Sequence, residues 1–455
     1  MAKVIAAIST PMAPAGLGVV RISGTGSIEL AARVFKPADE KRILSNLSGY
    51  HAAYGHVVDA DGVIDECVAT VFRAPHSYTG EDVVEFSCHG GMYLLQRVLR
   101  ALFAVGAVPA GAGEFTRRAF LNGKIDLTQA ESVMTLIEAN GRLAAKTALT
   151  VRQGVLYRRL SAVKEALIGL QAQFSAFVDY PDDDIPELHH QELETVLESA
   201  SRTLSELLKT YDAGRVLREG VDTAIIGSPN VGKSTVMNLL SGCERSIVTD
   251  IAGTTRDIVE ETVRVGEVCL RLSDTAGIRE TQDTVEALGV ERSRRRLETA
   301  ALILAVFDVS RPLSSDDRAL LESLPPQTTI AILNKQDLEK CWDEQLVKQK
   351  LPHVILLNAI SGDGLEELTE AIHTVTGIDQ LCDAEPVLAT ERQRVCVCRA
   401  ADGIAEALSA LRAGMTLDAV SVSVDSAIGA VLELTGERTT EAVVDGIFSR
   451  FCVGK

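Results

Sequence analysis

The sequence predicts a multidomain chain. An α+β N-terminal domain is followed by an all-α helical domain, and an α/β domain with a mostly parallel sheet is inserted into the helices. Three observations carry this reading. At 455 residues the chain has room for about two to four domains, each with its own core. Its texture turns from helix-rich to strand–loop–helix near Val221 and back again after Ile378. Between those points, short apolar runs at 221–226, 268–272, 301–307, 329–333 and 354–357 alternate with helical segments, as parallel strands joined by helical crossovers do.

Residues 1–124 are rich in Gly and carry β-prone pieces at 18–22 and 82–86 and an amphipathic helical stretch at 93–105, hence the α+β assignment. Residues 125–219 turn to Leu, Ala, Glu, Gln and Arg with apolar positions at three- and four-residue spacing, the first part of the helical domain. Those helices should break at 179–186, where Pro181 and Pro186 stand among four acids. Residues 220–378 form the inserted α/β domain, and 379–455 return to helix-forming sequence that should pack on the first helical part.

Composition narrows the class. Hydrophobic residues at 46% and charged residues at 24% describe a soluble globular protein, and no apolar run approaches the ~18 residues of a membrane span. The apolar stretch after Met1 is too short for a secretory signal, so the expected location is cytoplasmic, with no membrane role. Nine cysteines without a CxxC pair suggest free thiols in a reducing compartment, and Cys396 and Cys398 are spaced for neither a zinc knuckle nor a redox pair. The net charge of −18 argues against non-specific nucleic-acid binding by the whole surface. Residues 1–124, however, hold 12 Lys and Arg against 11 Asp and Glu, which makes them the better host for an anionic ligand.

Gly227-Ser228-Pro229-Asn230-Val231-Gly232-Lys233-Ser234 fits GxxxxGK[ST] and follows an apolar strand. Its glycines let backbone N–H groups turn onto phosphates, and the helix beginning there, through Thr235, aims its positive end at them. Lys233 would reach the β- and γ-phosphates, and the Ser234 hydroxyl would ligate Mg²⁺. Asp274-Thr275-Ala276-Gly277 follows a second strand: the Asp can hold a Mg²⁺-bound water and Gly277 can offer its N–H to the γ-phosphate. Asn334-Lys335-Gln336-Asp337 follows a third. The Asp337 carboxylate can accept from the guanine N1–H and 2-amino groups, which adenine does not present. Motifs of this kind in this order identify a G domain whose substrate is GTP.

The segment 246–257 resembles the first switch region of the TrmE/Era/EngA group of GTPases, where the second Thr, here Thr255 after Thr254, completes the Mg²⁺ shell. Asn358 and Ala359 stand where the base-facing loop of such proteins begins Ser-Ala. The residue after the Asp-Thr-Ala-Gly motif is Ile278, which can neither donate nor accept, so water positioning and charge compensation must come from elsewhere. In this group an Asn such as Asn230 holds a monovalent cation with a long first switch. That implies a K⁺ at Asn230, Thr249, Ile251 and Thr254, and Glu286 in the acidic second switch is the candidate for orienting water.

Further segments carry a closer resemblance. Residues 18–24, 78–82, 89–91, 113–124 and the terminal Phe451-Cys452-Val453-Gly454-Lys455 look like the MnmE (TrmE) family of tRNA-modification GTPases, from near residue 5 to the last residue. The resemblance implies an N-terminal folate-binding domain that also forms the homodimer, a discontinuous helical domain and an inserted G domain. It further implies an FAD-containing partner of the MnmG (GidA) type in a heterotetramer, and modification of the wobble uridine of certain tRNAs by an aminomethyl or carboxymethylaminomethyl group. The one-carbon unit would come from 5-formyltetrahydrofolate or a related tetrahydrofolate. Matching positions makes Arg21, Glu85, Lys124 and Lys455 the candidate folate contacts: a carboxylate can read the pterin amide-and-amine edge, and cations suit the glutamate tail. Cys452 is either a nucleophile or general acid in uridine chemistry or a small residue anchoring the terminus. Two rival readings stay open, a regulatory GTPase switch without modification chemistry and a ribosome-assembly GTPase, though no GxxG loop in a basic setting supports the second.

Overall fold

The computed structural model describes residues 3–179, 190–242, 261–272, 300–342, 344–381 and 387–455. The chain gathers into two units, one of Met1–Met134 with Val431–Lys455 and one of Thr135–Ala430.

The first unit is built on a seven-stranded sheet in the order β3-β4-β5-β6-β2-β1-β7, with β1 Ile5–Ile8, β2 Ala15–Ser23, β3 Phe35–Pro37, β4 His51–Asp59, β5 Gly62–Phe72, β6 Val83–Gly90 and β7 Val108–Pro109. Its pairs are antiparallel except β1 with β7. Period-2 alternation sorts its side chains. Val20 and Ile22 of β2 and Val84 and Phe86 of β6 face one core, roofed by α1 (Ser27–Val34) and α2 (Met92–Ala104). The residues between them, Arg21 and Glu85, therefore lie on the other face, directly opposite each other in register. On that face a second cluster joins Ile5, Ala7, Ala110 and Phe115 to Tyr78. A third packs α3 (Glu114–Leu121) and α4 (Leu127–Glu138) against the chain's last helix through Ala119, Leu127, Ala130, Val444, Phe448 and Phe451. The C-terminal segment thus folds with the N-terminal residues.

The second unit opens with α5 (Arg142–Arg152), α6 (Val155–Asp179), α7 (His190–Lys209) and α8 (Tyr211–Glu219). The predicted helix break falls on 180–189, outside the described residues. A six-stranded sheet follows in the order β13-β12-β11-β8-β10-β9: β8 Val221–Ile226, β9 Glu261–Val265, β10 Val268–Leu272, β11 Leu302–Asp308, β12 Thr329–Asn334 and β13 His353–Leu357. All neighbours are parallel except β9 with β10. Helices α9 (Lys233–Gly242), α10 (Ser315–Ser323), α11 (Gln345–Lys348) and α12 (Leu365–Thr376) accompany it, and the chain returns through α13 (Glu391–Arg412), which packs on α7, and α14 (Leu417–Thr435), ahead of α15 (Glu441–Phe448) in the first unit. The α/β insertion with a mostly parallel sheet is as the sequence predicts.

Candidate functional site

β8 delivers the chain into the phosphate loop. A Cβ on Gly227 would stand 2.3 Å from the Val306 carbonyl oxygen on β11, so the turn can pass that strand only as glycine. Asn230 and Gly232 both adopt positive φ, at 65° and 98°, which curls the loop before α9 starts at Lys233. Val231, fully buried in the core beneath, anchors it. Ser234 and Thr235 sit in the first turn of α9, with Ser234 exposed, where N–H groups and a hydroxyl can meet phosphate oxygens and a cation. Lys233 Nζ donates to the carbonyls of Gly227 and Ser228, each at 2.8 Å. Burial lowers its pKa, and the charge of Arg311 lowers it further.

The Asn-Lys-Gln-Asp segment is a strut as well as a reader. Asn334, buried at the end of β12, donates to the Val231 carbonyl at 3.0 Å and accepts from the Ala359 N–H at 3.1 Å. Lys335 donates to the Asn230 carbonyl at 3.2 Å and to Asp308 at 2.7 Å. One tetrapeptide thereby fixes the phosphate loop and the base-facing loop to each other and leaves the Asp337 carboxylate exposed beyond them. At the position where Ser was expected, the Asn358 side-chain oxygen accepts from the N–H groups of Ile360 and Ser361 at 3.1 and 3.3 Å. The amide shapes the loop as a hydroxyl would.

Sequence reasoning missed two carboxylates under the loop. Asp317 is buried, accepts from the Ser314 N–H at 3.0 Å to cap α10, and accepts from the Ser228 hydroxyl of the phosphate loop. Asp308, buried at the end of β11, accepts from Lys335 and from Ser310. Burial pushes both acids upward, but hydrogen bonds from Lys335 and Ser310, and from Ser228 and Ser314, outweigh it and hold them below the usual carboxylate range. The Ser-x-x-Asp spacing of 314–317 was a usable signal for the cap. Thr249, Ile251, Thr254, Thr255, Asp274, Thr275, Ala276, Gly277, Ile278 and Glu286 lie outside the described residues.

The first unit holds a second polar site. Arg21 Nε donates to Glu85 at 2.8 Å, and its guanidinium lies 5.6 Å from the Tyr78 ring centroid and 5.4 Å from that of Phe115. Arg21 is 15% exposed and Glu85 27%, so the pair is sheltered yet reachable. Arg21 also donates to the Gly454 carbonyl at 3.4 Å, because the C-terminal tail lies across this site. Ala112 bridges to Val453, the Phe115 N–H donates to the Lys455 main-chain oxygen at 3.1 Å, and the Gly113 N–H donates to the Cys452 carbonyl at 3.4 Å. The Cys452 residue itself is exposed. Gly454, at φ +99°, passes so close to β1 that a Cβ would be 2.2 Å from the Ile8 carbonyl oxygen. Behind the tail, Arg118 ties Glu81 at 3.0 Å to Glu114 at 2.9 Å, which steadies the start of α3. Lys124 donates to the Pro75 carbonyl at 2.9 Å, on the loop beside Gly80. Arg21, Glu85 and the tail are therefore brought together.

A mostly parallel sheet with a phosphate loop after β8 and an Asn-Lys-x-Asp strut after β12 defines the second unit's insert as a G domain, and the chain as a P-loop GTPase. Among the described residues no helix is long and apolar enough to cross a membrane.

Residues 4–124 match the family model for the GTP-binding protein TrmE N-terminus, and 127–452 match that for the MnmE helical domain. The chain belongs to the MnmE (TrmE) family. It is 38% identical to the tRNA modification GTPase MnmE of Natranaerobius thermophilus and 41% identical to that of Geobacter metallireducens, each over 99% of both chains. Against the Lactobacillus helveticus protein of the same name it is 39% identical, over 99% of this chain and 98% of that one.

Proposed function

We propose that this GTPase acts in tRNA modification, coupling GTP hydrolysis to a one-carbon transfer onto the wobble uridine with a tetrahydrofolate derivative. A second, FAD-containing protein of the MnmG type would join a homodimer of this chain in a heterotetramer. The observation that carries the folate part is the Arg21–Glu85 pair, walled by Tyr78 and Phe115 and crossed by the tail. The residues suit the ligand: a sheltered carboxylate for the pterin donor edge, aromatic walls for its ring, and Arg21 with Lys124 or Lys455 for the anionic tail. Cys452 enters as an exposed residue of the tail beside this site. Cytoplasmic location follows from a tRNA substrate.

At the nucleotide site the loop N–H groups and Lys233 would bind the phosphates, Ser234 with Thr255 would hold Mg²⁺, and Asp337 would select guanine. Bound there, Mg²⁺ would neutralise the charge of the phosphates. With Ile278 unable to orient water, Asn230 would hold a K⁺ whose positive charge would offset that of the leaving group, and Glu286 would position the nucleophile. The left-handed turn at Asn230 supports this, because it sets the residue at the exposed rim of the loop.

Isothermal titration of the full-length protein with 5-formyltetrahydrofolate tests the folate reading: binding in the wild type and its loss in Glu85→Ala are expected. No binding to wild-type protein favours a pure regulatory switch. Turnover in K⁺ against Na⁺ tests the cation. A K⁺ stimulation that Asn230→Ala removes is expected, and equal rates in the two salts sink it.

A further inference from the structure

Helix α5 begins badly by its own means. Its N-cap is Gly141, which has no side chain to offer, its first helical residue is the cation Arg142, and its first turn holds no acid. The missing acceptor comes from the G domain. Glu267, in the two-residue turn between the paired β9 and β10, accepts the Leu143 N–H at 2.8 Å through one carboxylate oxygen and Arg142 Nε at 3.4 Å through the other. The turn that presents it is tightly held. Gly266, at φ +60°, has His373 and Thr369 of α12 each 2.7 Å from where a Cβ would be, and the Glu267 N–H donates to His373 Nε2 at 3.4 Å. Next to the cap, Leu143 packs against the G-domain core, to which Val263, Val265, Val268 and Leu270 of the hairpin belong.

The position of this turn in the sequence gives the contact its meaning. β9 follows the segment carrying Thr254 and Thr255, and β10 ends at Leu272, two residues before Asp274. The hairpin thus joins the two stretches that touch the γ-phosphate and Mg²⁺ in the reading above. On its far side, α5 turns at Gly154 into the 25-residue α6, which packs on α7. From this we infer that Glu267 is a positioning residue that couples the nucleotide site to the helical domain: it supplies the N-cap of α5, and a shift of the hairpin as the γ-phosphate is lost loads or frees that cap. The inference rests on the proposed tRNA-modifying role for its consequence, but the coupling itself is measurable without tRNA.

Hydrogen exchange on the full-length protein in its GDP and GDP–aluminium fluoride states reads the coupling directly. Amides at 142–146 of the wild type should differ in protection between the two states by about fivefold or more, and Glu267→Ala should abolish the difference while Glu267→Gln keeps part of it. Equal protection in both states of the wild type, or an unchanged difference in Glu267→Ala, overturns the inference. The second arm uses function. In cells lacking the native gene, Glu267→Ala should keep GTP turnover within about twofold of wild type yet lower modified tRNA by tenfold or more. A proportional fall in both would make Glu267 merely structural. If the wild-type gene itself restores no modification, the tRNA reading fails and the exchange result still stands on its own.

Discussion

Single residues at the nucleotide site do more bracing than their motif roles suggest. Asn358 replaces a small hydroxyl, yet its amide oxygen satisfies two loop N–H groups. Asn358→Ala should therefore raise KM for GTP about fivefold, the order of one or two lost hydrogen bonds, with kcat nearly unchanged, and Asn358→Ser should restore it. Steady-state kinetics on the three proteins decides this. Asp308 and Asp317 make a matching prediction in pH. Their folded pKa values lie below the ordinary carboxylate value of about 3.9, so their contribution to stability is complete above that pH and is lost as the pH falls through the lowered folded values. Thermal melts should be flat in this contribution from pH 7 down to about 4 and then drop. Asp317→Asn should melt lower at neutral pH and lose less on acidification; a parallel pH profile would show that the carboxylate carries no such term.

Among the elements, the tail makes the sharpest claim. Gly454 has neither the space nor the backbone conformation for a side chain. Gly454→Ala should lift the tail from Arg21 and Phe115, abolish modification and leave GTP hydrolysis intact, as should deletion of 452–455. Nucleoside analysis of tRNA, read beside a phosphate-release assay, tests both, and surviving modification would make the tail and Cys452 structural. The sequence made some elements plain and hid others. The five apolar runs match β8, β10, β11, β12 and β13 within a residue at each end, most plainly where both faces are buried, as in the unbroken apolar run 302–307 of β11. β9 was missed: Glu261-Thr262-Val263-Arg264-Val265 alternates on the sheet edge and shows too few apolar residues to stand out. The long hairpin of β4 and β5 escaped for the same reason, being apolar on one side only, as at Val57, Cys67, Ala69 and Val71. Arg21 and Glu85 were named only separately, as candidate folate contacts through family resemblance. Their direct opposition needed the register of β2 and β6, which no local pattern encodes.

At the scale of the molecule, the insert is not self-sufficient at its border. Leu143, Val216 and Leu217 from the flanking helices pack against the G-domain core, the cluster that includes Val221 and Leu270. A fragment of 220–378 should fold with reduced stability, and one extended to begin at 208 should recover part of the loss by covering Val216 and Leu217 again, at about 1–2 kcal/mol for each partly buried side chain. Urea melts of the two fragments would refute this if they coincide.

The two connections to the insert also meet. The Leu388 N–H donates to the Thr210 hydroxyl at 3.1 Å, and Gly214 lies so close beneath Leu388 that a Cβ would stand 2.1 Å from its carbonyl oxygen. The entry and exit strands of the polypeptide are thus pinned at one point. For the helical scaffold, a whole catalytic domain then behaves as a short tie between neighbouring segments, and the entropy of closing so long a loop is largely removed by the insert's own folding. A host joined in this way can exchange its guest. In evolution or in the laboratory, a different nucleotide-binding module whose ends fit the Gly214–Leu388 pin could be spliced in without redesigning the helices.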